Sequence, residues 1–349
     1  MLIKLSFWIS ALILITHCNA LRRITSCVSF KKNHPDPSFT ATFKLHSEST
    51  FAAAASENYT TRITENVFNR QVQVFRALSV GAVALILSNF DKLDLVVQSC
   101  YQSLLQFPFF HHYAFEPILA STCFAFFIGI SAIIDYCVPV LWKYRIQPQG
   151  PGDTMIAWKE RLRDALSFEV PLYLAFWIPF GGFVKARKIQ TSVSLGLVIQ
   201  EVFAALIIYD ALFFLGHNLL HRSNFLYKSI HSKHHNQKVV RAGDSVRHTF
   251  LDGFWDVVCA VAALMILKAH ALSRSIFNII AIGLIVEAHS GSNFPWSLSN
   301  ILPFNMVAGP VVHDSHHAQG GPTNLQKFFT YLDKIFGTAK LRKPKLIIQ

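Results

Sequence analysis

The sequence predicts an all-α protein: a polytopic membrane helical bundle with a histidine-rich cytosolic or stromal helical cap that holds a dimetal site. Three observations predict it. The 349 residues are 52% hydrophobic and only 15% charged, whereas soluble domains carry about a quarter charged residues. Apolar runs approaching the ~20 residues that cross a bilayer recur along the chain. Of the eleven histidines from His217 to His317, ten form a set of metal-ligand type. The net charge of +12 does not signal nucleic acid, because no basic helix, zinc finger or RNA-binding aromatic motif accompanies it. A basic cytoplasmic or stromal face accounts for it. The six cysteines are scattered with no C-x2-C pair, so neither a zinc ribbon nor a disulfide framework is signalled.

The elements follow in chain order. Residues 1–20 read as a signal peptide or anchor, with Lys4 before an apolar core and Cys18-Asn19-Ala20 as a small-residue cleavage site. Residues 21–70 form a disordered or transit-like leader, rich in Ser, Thr and Ala. An endoplasmic-reticulum membrane is the expected address, and a plastid membrane reached through the two-part leader is the alternative. Residues 71–349 are the integral-membrane catalytic domain. Within it, 72–87 is apolar, 93–110 is weaker and interfacial, and 116–142 is a strong span. A polar link over 143–163 contains Gly150-Pro151-Gly152. Residues 170–184 make a short span, and 192–215 a long one that runs into His217. Residues 250–271 and 273–289 form a helical hairpin. The hairpin leaves from the His248 side, crosses and returns at His289, so both face the side that holds His217.

The histidines carry the chemistry. His217 and His221 make H-x3-H, His231, His234 and His235 make H-x2-H-H, and His313, His316 and His317 repeat that pattern. Residues three and four apart share a helix face, so each cluster aims its imidazoles one way. His248 and His289 are single additions. Ten such side chains exceed one four-coordinate zinc and suit two ions. Imidazole alone does not choose the metal, but iron offers redox chemistry that zinc lacks. His270, at the far end of the hairpin, and His111 and His112, after an apolar stretch, stay outside the ligand set. Ligating imidazoles need acceptors behind them. Asp210, seven residues before His217, is the first candidate, with Asp244 and Asp314 beside it. An acid inside an apolar span is costly to keep.

These boxes, in this order, resemble the fatty acid hydroxylase and sterol desaturase superfamily. The similarity runs from about Phe126 to Lys343 and includes Trp142-Lys143-Tyr144-Arg145-Ile146-Gln147-Pro148, His289-Ser290-Gly291, Phe294-Pro295-Trp296 and Leu302-Pro303-Phe304. The tail from Phe328 to Thr338 is especially close. These details are most similar to the C-4 methylsterol oxidase and sterol 25-hydroxylase branch. The resemblance implies a diiron enzyme that uses O2 as co-substrate. Electrons would derive indirectly from NAD(P)H through a carrier such as cytochrome b5, or ferredoxin in a plastid.

The expected function is therefore a membrane-bound, O2-dependent diiron monooxygenase that hydroxylates a sterol or related lipid, in the manner of a C-4 methylsterol oxidase. Sterol or lipid desaturation and carotenoid or fatty-acyl hydroxylation are the enzyme alternatives. A metal transporter or metal-binding membrane protein is the non-enzyme one, although ligands outside the apolar runs count against transport. Phe294, Trp296 and Phe304 are expected to wall the lipid site. Lys228, Lys233, Lys327, Lys334 and Lys340 form the expected docking face for the electron carrier.

Overall fold

The computed structural model describes residues 65–147, 174, 189–237 and 239–340. The expected signal peptide, nearly all of the leader, most of the 143–163 link and, residue 174 apart, the 170–184 span lie outside the described residues. Among the described residues there is no β-strand, only isolated bridges between Arg145 and Ser292 and between Val307 and Phe329. Seven helices position the site: α1 (Glu65–Ser88), α2 (Phe90–Leu105), α3 (Phe115–Cys137), α4 (Leu195–Arg222), α5 (Phe250–Ile266), α6 (Ala271–Ala288) and α7 (Pro310–Gln319).

Among the described residues four helices are long and apolar enough to cross a membrane: α1, α3 over Phe115–Asp135, α4 and α6. On α1 only Val72 is buried, while Leu78, Val80, Leu85 and Leu87 are each more than 60% exposed. Such a face is stable in lipid rather than in water. The weaker run at 93–110 becomes α2, which carries Asp91 and Asp94 and is not one of the four. The strong run at 116–142 is shorter than its apolar pattern. Its helix stops at Cys137 because Pro139 pushes Val138 out of the helical region, to φ −126° and ψ 71°.

The remaining boundaries have local causes. Ser194 caps α4 by accepting from Leu197 N–H at 3.2 Å, and Thr249 caps α5 by accepting from Asp252 N–H at 3.4 Å. Gly216 after Leu215 does not end the helix, so α4 continues two turns past its apolar run and carries His217 and His221 on its last turns. The hairpin is present as expected, with α5 and α6 joined by a turn in which Lys268 takes φ 49°. Both of its helices pack on α4, and α6 also packs on α3. Small residues, Ala120 and Cys123, lie at the α3–α6 contact, where close backbone approach gives the packing that holds helices together in lipid. Gly216 lets α5 approach α4 next to the first histidine, because a Cβ there would sit 2.1 Å from Trp255 Nε1.

The Trp142–Gln147 link ties these helices to the histidine end. Trp142 Nε1 donates to Asp135 O at 3.0 Å, and Arg145 pairs with Asp135 at 3.0 Å. Ile146 N–H donates to Gly291 O at 3.0 Å, and Asn293 N–H to Tyr144 O at 2.7 Å. Gly291 sits at φ 68°, where a Cβ would lie 2.5 Å from Val240 O. That explains a glycine two residues after His289.

Candidate metal centre

The C-terminus of α4, the turns after it, the C-terminus of α6 and all of α7 meet on one side, bringing nine of the ten predicted histidines into two groups. His217, His221, His231, His235 and His316 form the first, and His234, His289, His313 and His317 the second. Within each group the ligand atoms lie within 4.8 Å of one another. The groups adjoin, with the rings of His235 and His317 4.4 Å apart. The two H-x2-H-H boxes are each divided between groups, as alternation around a helix allows. His231 and His235 point to the first group and His234 to the second, while His316 is separated from His313 and His317.

The hydrogen bonds behind the rings fix their tautomers. Nδ1 of His217 faces Leu325 O at 2.7 Å, that of His289 faces Ile285 O at 2.7 Å, and that of His316 faces Thr323 O at 2.7 Å. His234 Nδ1 faces Arg247 O at 3.2 Å. A carbonyl only accepts, so each Nδ1 carries the proton and each Nε2 presents a lone pair inward. His231 Nδ1 donates to Asp252 Oδ2 at 2.8 Å. The inward nitrogens then crowd together. His217 Nε2 is 3.0 Å from His231 Nε2 and 3.2 Å from His221 Nε2, and His235 Nε2 is 3.0 Å from His231 Nε2. In the second group His313 Nε2 is 2.8 Å from His289 Nε2 and 3.0 Å from His317 Nε2. His316 Nε2 is buried with no protein partner. Converging lone pairs repel one another, and a cation among them turns that repulsion into coordination. The residues fit two metal ions.

Electrostatics agrees. Burial first, then the neighbouring imidazoles, holds His234, His235, His313 and His317 far below the usual histidine range. Burial takes His289 and His316 down to about 3. All six are neutral at pH 7, the state that ligation needs.

The other expected site residues are placed as follows. His248 belongs to neither group. Its ring packs on Gly253, where a Cβ would lie 2.4 Å from it, and it lines a pocket of about 30 Å³ shared by histidines of both groups. Asp210 is fully buried but braces a loop rather than a ring. It accepts from the N–H groups of Lys327, Phe328 and Phe329 at 2.8–3.0 Å and from Gln326 Nε2 at 2.7 Å. That loop supplies the Leu325 and Thr323 carbonyls, so Asp210 acts on His217 and His316 one step removed. Asp244 accepts from Arg241 N–H at 2.7 Å and caps the Ala242–Val246 turn. Asp314 accepts from Gln147 Nε2 at 2.7 Å, tying α7 to the link. Phe294 is buried and stacks on Trp296 at 4.8 Å, while Phe304 is 85% exposed at φ 62°. None of the three lines either cavity described here. Lys327, expected on the docking face, is buried. Its Nζ lies 2.6 Å from Asp256 and 3.0 Å from the Tyr209 hydroxyl, which itself donates to Asp256.

Three acids escaped the sequence reading: Asp252 behind His231, Asp256 beneath the pocket, and Asp333. Asp333 accepts from Leu325 and Gln326 N–H at 2.8 and 2.9 Å and so fixes the same carbonyl loop. The signal for Asp252 and Asp256 was present, since both are acids at helical spacing within the apolar run of α5. Below the histidines an apolar cavity of about 210 Å³ runs between α3, α5 and α6 toward the tip of the hairpin. Asp256 lines both this slot and the histidine pocket.

The comparisons with known proteins agree with this geometry. The fatty acid hydroxylase family model matches residues 202–338. Cholesterol 25-hydroxylase of Homo sapiens is 29% identical over 264 residues, covering 70% of this chain and 94% of that protein. A cholesterol 25-hydroxylase-like protein 1, member 2, of Danio rerio is 30% identical over 207 residues, covering 57% of this chain and 72% of its own. Methylsterol monooxygenase 2-2 of Arabidopsis thaliana is 31% identical over 209 residues, covering 57% and 75%. No solved structure matches the chain. With its histidine boxes gathered at the ends of apolar helices, this multi-pass membrane protein belongs to the fatty acid hydroxylase and sterol desaturase superfamily.

Proposed function

We propose that the protein is an O2-dependent diiron monooxygenase that hydroxylates a sterol or related membrane lipid. The observation that carries this reading is the set of inward Nε2 lone pairs, two groups of imidazoles side by side above an apolar slot. Two iron ions held by these groups would supply the activation of O2 and the removal of hydrogen from an unactivated C–H bond. His248 is the remaining histidine at the shared pocket and is proposed as a positioning group there.

The chain's own residues do the rest. Leu325, Thr323, Ile285 and Arg247 carbonyls hold the imidazole protons on Nδ1, and Asp252 does so for His231. Such partners orient the ring and raise its basicity toward a metal. The walls of α3, α5 and α6 form the slot, and Tyr209 and Asp256 line its histidine end, where Asp256 is paired with Lys327. Electrons are proposed to arrive from a separate protein such as cytochrome b5. The proposed address is the endoplasmic reticulum.

Desaturation of the same lipid is the rival outcome. Purified protein supplied with O2, a reductase and carrier, and cholesterol or a methylsterol tests the reading. An oxygenated sterol, one per O2 consumed, is expected. A product that gains a double bond and no oxygen would overturn hydroxylation, and zinc at full occupancy in an active preparation would overturn the diiron assignment.

A further inference from the structure

The slot has two unlike ends, and α6 shows the difference along one face. Arg274, Asn278, Ile282 and Ile285 all line it, as three- and four-residue spacing on a helix allows. The face is therefore polar near the hairpin tip and apolar near the histidines. At the polar end Arg274 is neutralised by Glu116, with Nε–Oε1 at 2.6 Å and Nη2–Oε2 at 2.5 Å. Asn278, one turn closer to the histidines, makes no hydrogen bond to another described residue. An amide within a membrane-crossing helix is costly unless something pairs with it.

We infer, building on the sterol-oxygenase reading, that Asn278 binds the single hydroxyl of the lipid and that the lipid lies along α6 with its opposite end under the histidines. A primary amide both donates and accepts, which matches a hydroxyl. Arg274 is neutralised by Glu116, and Lys268, which also lines the slot, is exposed at the hairpin tip ten residues before Asn278, so no unpaired charge stands beside the amide to favour a carboxylate or phosphate head group. At 1.5 Å per residue, Asn278 stands about 16 Å along the helix from His289. That is comparable to a sterol from its ring hydroxyl to the end of its side chain. A carbon next to the hydroxyl lies far from the metal groups in this orientation, so oxidation falls on the tail. The slot thus favours side-chain hydroxylation over attack at C-4.

The test uses the iron-loaded full chain in detergent, with tritiated cholesterol and its deoxy analogue, which lacks the hydroxyl. Asn278→Leu is expected to weaken cholesterol binding about tenfold and to leave binding of the deoxy analogue unchanged. Asn278→Ser, which keeps a donor and an acceptor, is expected to recover part of the loss. Wild-type turnover should place oxygen at the side-chain end. Equal weakening for both ligands would overturn the role of Asn278. A product oxidised beside the hydroxyl would overturn the orientation and leave the sterol-oxygenase reading standing. Failure to bind or oxidise any sterol would overturn that reading and this one together.

Discussion

The two histidine groups sit side by side yet are braced by different parts of the chain. The five-histidine group leans on Asp252 from α5 and on the Leu325 and Thr323 carbonyls from the loop that Asp210 and Asp333 hold. The four-histidine group leans on backbone carbonyls of the hairpin and of the segment leading into it. His289 bonds Ile285 O one turn below it, and His234 bonds Arg247 O just before the hairpin. Both groups therefore depend on the hairpin, through Asp252 and through Ile285, and the first depends as well on the C-terminal tail being folded. Damage to one brace should unload one ion.

The largest expected effects come from removing a ligand. His235→Ala should empty the first group and His313→Ala the second, each leaving about half the iron and lowering turnover at least ~100-fold. Iron analysis beside turnover checks this, and loss of both ions from either change would erase the distinction between the groups. Asp252→Asn comes next. It should weaken metal affinity about 10- to 100-fold, read by chelator competition, in the five-histidine group alone. Asp210→Asn should destabilise the fold by about 2–3 kcal/mol, since bonds to a buried carboxylate are worth more than neutral ones. In thermal melts it should also loosen the first group before the second. Gly291→Ala is smaller, about 1–2 kcal/mol from the left-handed backbone, with a further cost from the Val240 carbonyl. It should act on the His289 side.

A pH series separates metal from protein. In the metal-free chain, burial holds His289 and His316 near 3, below an unfolded value of about 6.5. Between those values the unfolded chain binds more protons than the folded one. Stability should therefore fall as pH drops from about 6.5 toward 3, and be steady above about 7. Thermal melts of stripped protein across that window should show the fall.

Much of this was legible in the sequence because periodicity and ligand spacing are local properties. The His217–His221 pair and both H-x2-H-H boxes marked the histidines that the fold gathers, and the hairpin geometry placed His289 on their side. Pairing between remote segments was not legible. Nothing local to Asp210 says that it faces the 326–329 backbone rather than a ring, nor that Lys327 is buried against Asp256 instead of exposed for docking. Phe294, Trp296 and Phe304 stand out in the sequence for their aromatic character near the boxes. That character serves packing in the first two and surface exposure in the third. The slot itself needed three helices to be assembled before Asn278 could stand out. In the proposed orientation, the expected C-4 chemistry moves to the opposite end of the lipid.

The most direct test of the account is the metal content of the purified, active protein measured against its His235→Ala and His313→Ala variants. The account predicts about two irons per chain in the parent and about one in each variant, with hydroxylated lipid formed only by the parent. A single ion per chain, or hydroxylation that survives both substitutions, would contradict it.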